Sequence, residues 1–289
     1  MNILQEKLLG RLQTIVDNSN AVLGVAVKDL TSGEELEING DEVFPAASTI
    51  KVAILLEFFR RVDEGNLNPN TPITYLSSHK TGGSGVLKMM SVGSVTMLLV
   101  DYATLMITVS DNAATNIIID ILTIKKINQN LEALGLKVTR LTRKMLDMEA
   151  DRAGCKLLTT PLEMSSLMYS LYRHEKMTPK ACEETLKMLQ FPKEGLIQGI
   201  IRNSVPDKVS VANKSGWING GTCDVGITYQ PGRPYIVTIF AKNIPVKDMH
   251  MFKTISELTE ATGLIQNYFE DASSTHSMVA HIRISRVRY

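Results

Sequence analysis

The chain has 289 residues, of which 44% are hydrophobic and 21% charged, and its formal net charge is +1. This composition is ordinary for a soluble globular protein, and the length permits one large domain or two small ones. The near-neutral charge, without a dense Lys/Arg block before the C-terminus, argues against a nucleic-acid partner. The longest apolar runs are too short to span a bilayer, so we expect no transmembrane segment.

The N-terminal half of the pattern begins with a helix and a hairpin. Apolar residues recur at helical spacing over residues 3–18, which predicts an amphipathic helix. Residues 21–27 are small and β-branched and predict a strand. A turn at residues 31–34 leads into a returning strand at 35–38. The chain begins directly with the helix, without a basic region followed by an apolar one, so no signal peptide is predicted.

From residue 48 to about residue 190 the pattern is helical, broken by a Gly-rich loop at 81–85. Strands are predicted again at residues 209–212, 223–229 and 235–241, and a closing helix at 252–269. The tail after Ser273 fits no core period, and we assign it no role.

These elements predict an α/β (α+β) fold. The simplest packing is an antiparallel sheet built from both termini and flanked by helices, with an inserted all-helical lobe. We expect a single domain over residues 1–272, with the sheet lobe at about 1–45 and 195–272. The helical lobe then covers about 46–194, and the tail covers 273–289. A cleft is expected where the helical lobe meets the sheet.

Cysteine and histidine usage excludes two common kinds of site. The three cysteines are far apart and form no C-x-x-C pair, so no disulfide framework is expected. The five histidines show no metal-ligand spacing, and neither a zinc site nor a Ser-His-Asp triad is predicted. We therefore expect no metal and no cofactor.

A Ser-x-x-Lys motif, Ser48 to Lys51, opens a long apolar run at residues 52–59, which predicts a buried helix. Residues three apart share a helix face, so the hydroxyl of Ser48 and the amine of Lys51 are expected side by side. At a helix N-terminus, backbone N–H groups and the helix dipole favour developing negative charge. A serine nucleophile needs such a setting, because its hydroxyl is weakly reactive at its free pKa. Taken alone, this motif is also typical of a serine that caps a helix N-terminus and is followed by a surface lysine.

Two further short motifs accompany the first. Ser110 and Asn112 belong to a Ser-Asp-Asn triplet just before an apolar run, and Lys214, Ser215 and Gly216 end a predicted strand. Each is weak alone, but S-x-x-K, S-D-N and K-T-G in this order form the signature set of class A β-lactamases and penicillin-binding proteins. Lys-Ser-Gly is an accepted form of the third motif.

With these motifs the chain resembles class A β-lactamases over roughly residues 3–270. Further segments resemble the family: 44–51 at the nucleophile helix, 83–87, 139–143, and 159–161 at the end of the Ω-loop. The resemblance implies the same α/β fold with a helical lobe, and a small-molecule substrate, a β-lactam or a D-alanyl peptide. We expect a monomer. The family is usually exported to the periplasm or the cell exterior, while no leader is visible here, so the compartment is left open.

The resemblance also implies roles for the reacting residues. Ser48 Oγ attacks a carbonyl carbon and forms an acyl-enzyme. Lys51 is the candidate proton acceptor if burial and neighbouring cations lower its pKa. Ser110 can relay a proton to the leaving nitrogen. The backbone N–H groups of Ser48 and Trp217 are placed as the oxyanion hole.

Five residues are expected to bind the substrate. Asn112 can hydrogen-bond the substrate amide, and Lys214 and Ser215 can hold a substrate carboxylate. Gly216 continues the same strand, and Trp217 adds an aromatic wall beside the substrate.

The sequence departs from the family at the base for deacylation. Class A enzymes hold the hydrolytic water with a Glu, helped by an Asn four residues later. Counted from Arg143 the Glu position is Met145, and counted back from the 159–161 segment it is Lys144. Glu149 occupies the position of that Asn, four residues after Met145, which is one turn in a helix. We predict that Glu149 is the replacement base.

Two alternatives to this assignment stay open. In one, Glu149 belongs to a solvated acidic patch with Asp147 and Asp151 that pairs with Arg143 or Arg152. In the other, no dedicated base exists and the protein stays acylated by penicillins.

Three functions therefore compete. The first is a serine hydrolase of the class A type that hydrolyses the β-lactam amide. The second is a D-alanyl-D-alanine carboxypeptidase or transpeptidase that uses Ser48 and Lys51 identically. The third is a penicillin-recognising sensor that acylates and does not turn over. The missing Glu favours the second and third, and the compact size favours the first.

Overall fold

The computed structural model describes residues 2–245 and 250–285. Its strands are β1 (Val22–Asp29), β2 (Glu35–Ile38), β3 (Phe44–Pro45), β4 (Pro72–Thr74), β5 (Thr96–Leu98), β6 (Leu158–Thr159), β7 (Val211–Ile218), β8 (Gly221–Thr228) and β9 (Tyr235–Lys242). Its α-helices are α1 (Ile3–Asn18), α2 (Lys51–Asp63), α3 (Leu99–Thr108), α4 (Asn112–Leu122), α5 (Ile124–Ala133), α6 (Met148–Arg152), α7 (Pro161–Arg173), α8 (Pro179–Leu189), α9 (Gly199–Asn203) and α10 (His250–Ser285).

The main sheet joins the two ends of the chain. Its strand order is β2-β1-β9-β8-β7, and every neighbouring pair is antiparallel. The register of β1 on β9 runs from Val22 opposite Lys242 to Asp29 opposite Tyr235. This pairing confirms the predicted antiparallel sheet built from both termini. It leaves β7, the strand that carries the Lys-Ser-Gly motif, at an edge of the sheet.

Both faces of the sheet are covered, because its strands are apolar on both sides. On one face α1, α9 and α10 pack over residues such as Val25, Val237 and Ile239. On the other, the helical segment packs over Val225, Ile227 and Phe240. Two separate hydrophobic cores therefore hold the sheet between layers of helices.

Helix α2 is the centre of the helical part. Every residue from Lys51 to Phe59 is buried, which explains the unbroken apolar run in the sequence. The prediction of a buried helix is confirmed, but the helix begins at Lys51. Ser48 lies one turn earlier, in a 3₁₀ turn (Ala47–Ile50), and Ala47 has a left-handed φ of 45°. The nucleophile candidate therefore lies on a tight turn leading into the helix.

Two boundaries differ from the sequence expectation. Strand β7 continues through the Lys-Ser-Gly motif, because these residues pair with Asp224, Val225 and Cys223 of β8. The last helix extends past both ends of the predicted 252–269, from His250 to Ser285. The tail after Ser273, to which the sequence assigns no role, is therefore helical to Ser285, and residues 286–289 lie outside the described part. No helix within the described ranges is long and apolar enough to cross a membrane.

Candidate active site

The turn that carries Ser48 lies directly against strand β7. A Cβ atom placed on Gly216 would lie 2.8 Å from the backbone nitrogen of Ser48 and 2.9 Å from Cβ of Ala47. A side chain at this position would push the strand away from the turn, so glycine is required here. The close approach puts the backbone of β7 beside Ser48, which is half-buried. The oxyanion hole expected from Ser48 and Trp217 would form where these two elements meet, and it stays a prediction.

Lys51 joins the first two motifs. Its fully buried Nζ donates to the carbonyl oxygen of Ser110 (2.8 Å), to Ser110 Oγ (3.1 Å) and to Asn112 Oδ1 (3.0 Å). Burial, and secondly the charge of Lys214, hold the pKa of Lys51 well below its ordinary value, against the opposing charge of Asp111. A low pKa favours the neutral amine, which is the form that can accept a proton.

Asp111 fixes the Ser-Asp-Asn triplet in place. Its carboxylate caps α4 by accepting from the N–H of Ala114 (3.0 Å), and it also accepts from the N–H groups of Val86 (2.7 Å) and Leu87 (2.9 Å). The preceding Ser110 has a left-handed φ of 52°, an uncommon conformation for a residue with a side chain. The cap and the strained residue together direct Ser110 towards Lys51.

Lys214 is the second fully buried amine. Its Nζ donates to the carbonyl oxygen of Ser215 at 2.6 Å. Burial lowers the pKa of Lys214 to about 7, helped by Lys193 and opposed by Asp224 and Cys223. Burial also raises the pKa of Asp224 to about 6. Lys214 therefore changes charge close to neutral pH.

A buried polar cluster supports strand β7 on the side of α9. Asp224 accepts hydrogen bonds from Asn213 Nδ2 (3.0 Å) and from the N–H of Ile201 (2.9 Å). Asn213 Oδ1 in turn accepts from Lys193 Nζ (3.4 Å). None of these three side chains was expected at the site from the sequence, although Asp224 stands out as a carboxylate within an apolar strand.

Ser215 and Trp217 are two apart on β7 and project from the same face. Ser215 Oγ donates to the carbonyl of Ile197 (2.8 Å), and Trp217 Nε1 donates to the carbonyl of Leu196 (3.3 Å). Both acceptors lie on a 3₁₀ turn (Gly195–Gln198). The Ser215 hydroxyl therefore has an intramolecular partner, which a substrate carboxylate would have to replace.

Met145 lies at the expected position of the family's Glu. The side chain of Asn116 holds its backbone on both sides: the Met145 N–H donates to Asn116 Oδ1 (2.8 Å), and Asn116 Nδ2 donates to the Met145 carbonyl (3.1 Å). Met145 is buried in the helical core, whereas Lys144 forms an ion pair with Asp120 at 2.5 Å. Asn116 was also missed. The sequence feature that could have identified Asn116 is its spacing of four residues from Asn112, which puts both side-chain amides on one face of α4.

The structure does not join Glu149 to this cluster. Glu149 is exposed on the short helix α6, and its carboxylate has no hydrogen bond or ion pair with Ser48, Lys51 or Ser110. The neighbouring Asp151 pairs with Arg143, one of the partners named in the alternative of an acidic patch, and with Lys156, at 2.8 Å each. The role of Glu149 as a base stays a prediction.

Solved structures with this fold include two that are 27% identical to the chain. The structure of PBP-A has a TM-score of 0.81 and covers 92% of this chain and 96% of its own. An ancestral class A β-lactamase (GNCA) has a TM-score of 0.80 and covers 91% and 100%. A variant of PBP-A is known as an acyl-enzyme complex with penicillin G.

Curated relatives and a family model agree with these structures. β-Lactamase CARB-3 of Pseudomonas aeruginosa is 27% identical over 202 residues, 68% of either chain. β-Lactamase SME-1 of Serratia marcescens is 26% identical over 253 residues, 86% of this chain and 85% of its own. The model of the beta-lactamase enzyme family matches residues 7–268. The chain therefore belongs to the beta-lactamase enzyme family.

Proposed function

We propose that the protein is a serine hydrolase that forms an acyl-enzyme at Ser48 with β-lactams and then hydrolyses it slowly. The observation that carries the proposal is the position of Lys51. Its buried amine bonds both Ser110 and Asn112, one helical turn after Ser48. These contacts support Ser48 as the nucleophile, Lys51 as the proton acceptor and Ser110 as the proton relay. The family and its named β-lactamase relatives support this reaction class.

Acylation follows from these groups. Ser48 Oγ bonds to the β-lactam carbonyl carbon while its proton passes to the neutral amine of Lys51. The ring C–N bond then breaks, and Ser110 donates its hydroxyl proton to the leaving nitrogen while it takes up, along its hydrogen bond to Lys51, the proton that Lys51 accepted from Ser48. The backbone N–H groups of Ser48 and Trp217 would stabilise the oxyanion, and one such donor typically contributes ~10²–10³ in rate.

Lys214 is the group we assign to the carboxylate shared by β-lactams and D-alanyl peptides. Ser215 can add a hydrogen bond once its hydroxyl leaves the Ile197 carbonyl. Asn112 would bind the substrate amide, while Gly216 and Trp217 would form the wall of the cleft along β7. The charge of Lys214 makes this binding depend on pH.

A D-alanyl-D-alanine carboxypeptidase or transpeptidase is the second candidate. Met145 favours it, because a thioether at the position of the family's Glu cannot accept a proton from the hydrolytic water. The fold is shared with PBP-A as well as with β-lactamases. A penicillin-recognising sensor would show the same chemistry without turnover.

Replacing Ser48 by Ala tests the nucleophile. The Ser48→Ala protein should neither hydrolyse a chromogenic cephalosporin nor gain mass when penicillin is added, because the substitution removes the hydroxyl that would be acylated. Ser48→Cys is a matched control that keeps a nucleophile and should still gain mass. A penicillin adduct on the Ser48→Ala protein would refute the proposal.

The pH dependence tests Lys214. With a pKa of about 7, its amine is charged at lower pH and neutral at higher pH. As pH rises through this range, kcat/KM for a carboxylate-bearing β-lactam should fall relative to that for a neutral ester. The expected loss is about tenfold, the value of one charge-assisted hydrogen bond.

The ratio of the two substrates cancels the titration of Lys51, which affects both. Lys214→Arg should flatten the ratio, because arginine keeps its charge over this range. An equal fall for ester and carboxylate would show that Lys214 does not bind the carboxylate.

Met145 and Glu149 are tested together, because both concern deacylation. Glu149→Gln removes the predicted base but keeps its size, so the acylation burst should remain while steady-state turnover falls by ~10²–10⁴. Met145→Glu should raise turnover, and the gain should be largest in the Glu149→Gln background. Unchanged turnover in Glu149→Gln would show that the water is activated elsewhere, with Lys51 the next candidate.

A further inference from the structure

Lys193 is a partly buried lysine that the proposed reaction does not use. It lies on the segment between α8 and the 195–198 turn. Its Nζ faces three oxygen atoms, the carbonyl oxygens of Leu189 (2.6 Å) and Phe191 (3.1 Å) and Oδ1 of Asn213 (3.4 Å). An ammonium group has three N–H donors and no acceptor, whereas a neutral amine has only two donors. The three oxygen atoms therefore match the charged form of Lys193.

Asn213 links this ammonium group to a buried carboxylate. Its Oδ1 accepts from Lys193, so its Nδ2 is the atom that donates to Asp224, at 3.0 Å from Oδ1 and 3.2 Å from Oδ2. The N–H of Ile201 donates to the same carboxylate at 2.9 Å. Hydrogen bonds donated to a carboxylate favour its ionised form. The directions of these bonds thus assign a positive charge to Lys193 and a negative charge to Asp224.

Close packing holds Asn213 and Asp224 in this arrangement. A Cβ atom placed on Gly199, at the start of α9, would lie 2.3 Å from Asp224 Oδ2 and 2.8 Å from Asn213 Nδ2. The backbone of α9 therefore lies directly against both side chains, which are also buried from solvent. Neither side chain can turn to another partner without a shift of α9.

Lys214 adjoins the same carboxylate but has fewer acceptors of its own. It follows Asn213 in β7, and Asp224 of β8 is paired with the next residue, Ser215. The hydrogen bond that the structure describes for Lys214 Nζ goes to the Ser215 carbonyl. One buried carboxylate can offset the charge of only one buried ammonium group in full. As pH rises, Lys214 should therefore lose its proton before Lys193 does.

The electrostatics agree with this geometry. Burial lowers the pKa of Lys193 to about 8, against the opposing charge of Asp224, while the pKa of Lys214 is about 7. After burial, the charge of Lys193 is the next cause of the lowered pKa of Lys214. The other titratable groups that act on Lys214 are Asp224 and Cys223 of β8, and Lys214 in turn lowers the pKa of Lys51.

We propose that Lys193 is a positioning residue that acts through Asn213 and Asp224 on the charge of Lys214, and so sets the upper pH limit for binding a substrate carboxylate. This inference rests on the proposed function, because it takes Lys214 as the group that binds that carboxylate. Lys193 is assigned no contact with the substrate. It offsets part of the Asp224 charge, which leaves Lys214 ready to lose its proton near neutral pH.

Replacing Lys193 by Met tests this role with two compounds, benzylpenicillin and its neutral methyl ester, which differ only at the carboxylate. Intact mass gives the acylation rate of each across neutral and mildly alkaline pH. The wild-type ratio of carboxylate to ester rates should fall with a midpoint at the pKa of Lys214, about 7. In Lys193→Met the midpoint should rise by on the order of one pH unit, because removing a like charge favours the charged form of Lys214.

Further variants separate this electrostatic effect from a loss of packing. Lys193→Arg keeps the charge and should keep the wild-type midpoint. Asp224→Asn removes the carboxylate at constant size and should lower the midpoint, opposite to Lys193→Met. Lys208→Met is the matched control, because Lys208 is an exposed lysine of the same surface concavity, and it should leave the midpoint unchanged. If Lys193→Met folds poorly, Lys193→Gln, which retains two N–H donors, replaces it.

The outcomes distinguish this inference from the proposed function. Absence of any adduct with either compound would overturn the proposed function, and a wild-type ratio that does not change with pH would overturn its assignment of Lys214. Either result would overturn the inference as well. A purely structural Lys193 would slow both compounds alike in Lys193→Met and leave the midpoint in place. That result, or a lowered midpoint, would overturn the inference alone.

Discussion

The structure depends on burying the amines of two lysines inside one protein. Lys51 and Lys214 are both fully buried, and removing such charges from water costs several kcal/mol each unless the protein supplies partners. Lys51 is surrounded by oxygen acceptors from Ser110 and Asn112, while Lys214 has the Ser215 carbonyl and the nearby charge of Asp224. The desolvation free energy that these partners do not offset lowers the pKa values of Lys51 and Lys214. Amines with lowered pKa values are what acid–base chemistry near neutral pH needs.

Much of the surrounding architecture serves to hold these amines in position. Helix α2 is buried along its length, so the segment carrying Lys51 has little freedom to move. Strand β7 is at the sheet edge but is fixed by the Asn213–Asp224 cluster beneath it and by Gly216 against the Ser48 turn. The site therefore combines Lys51 from a buried helix with Lys214 from an edge strand that neighbouring residues hold in place, as expected for a preorganised centre.

Sequence reasoning predicted the features that depend on local pattern or on a motif. The buried helix after Ser48 and the single strands were predicted because each is a contiguous pattern, and the family was recognised because each of its three motifs is short and local. Strand β7 was predicted to end early, since Lys214 and Ser215 are polar and only their pairing with β8 shows them inside the sheet.

What could not be predicted depends on contacts between distant segments. Asn116 lies 29 residues from Met145 in sequence, yet its side chain determines how the loop approaches the cleft. The hydrogen bonds of Ser215 and Trp217 to the 195–198 turn are similarly non-local. The left-handed φ of Leu146 leaves no signal in the sequence, because leucine is not a residue expected in that conformation.

The most direct test of the account is the intact mass of the wild-type protein with time after one equivalent of penicillin. Acylation without a carboxylate at position 145 predicts a rapid gain of one penicillin mass, followed by a slow return to the mass of the free protein. A protein that never gains this mass would contradict acyl-enzyme formation at Ser48. An adduct that persists indefinitely would contradict hydrolysis and leave the peptidase or the sensor.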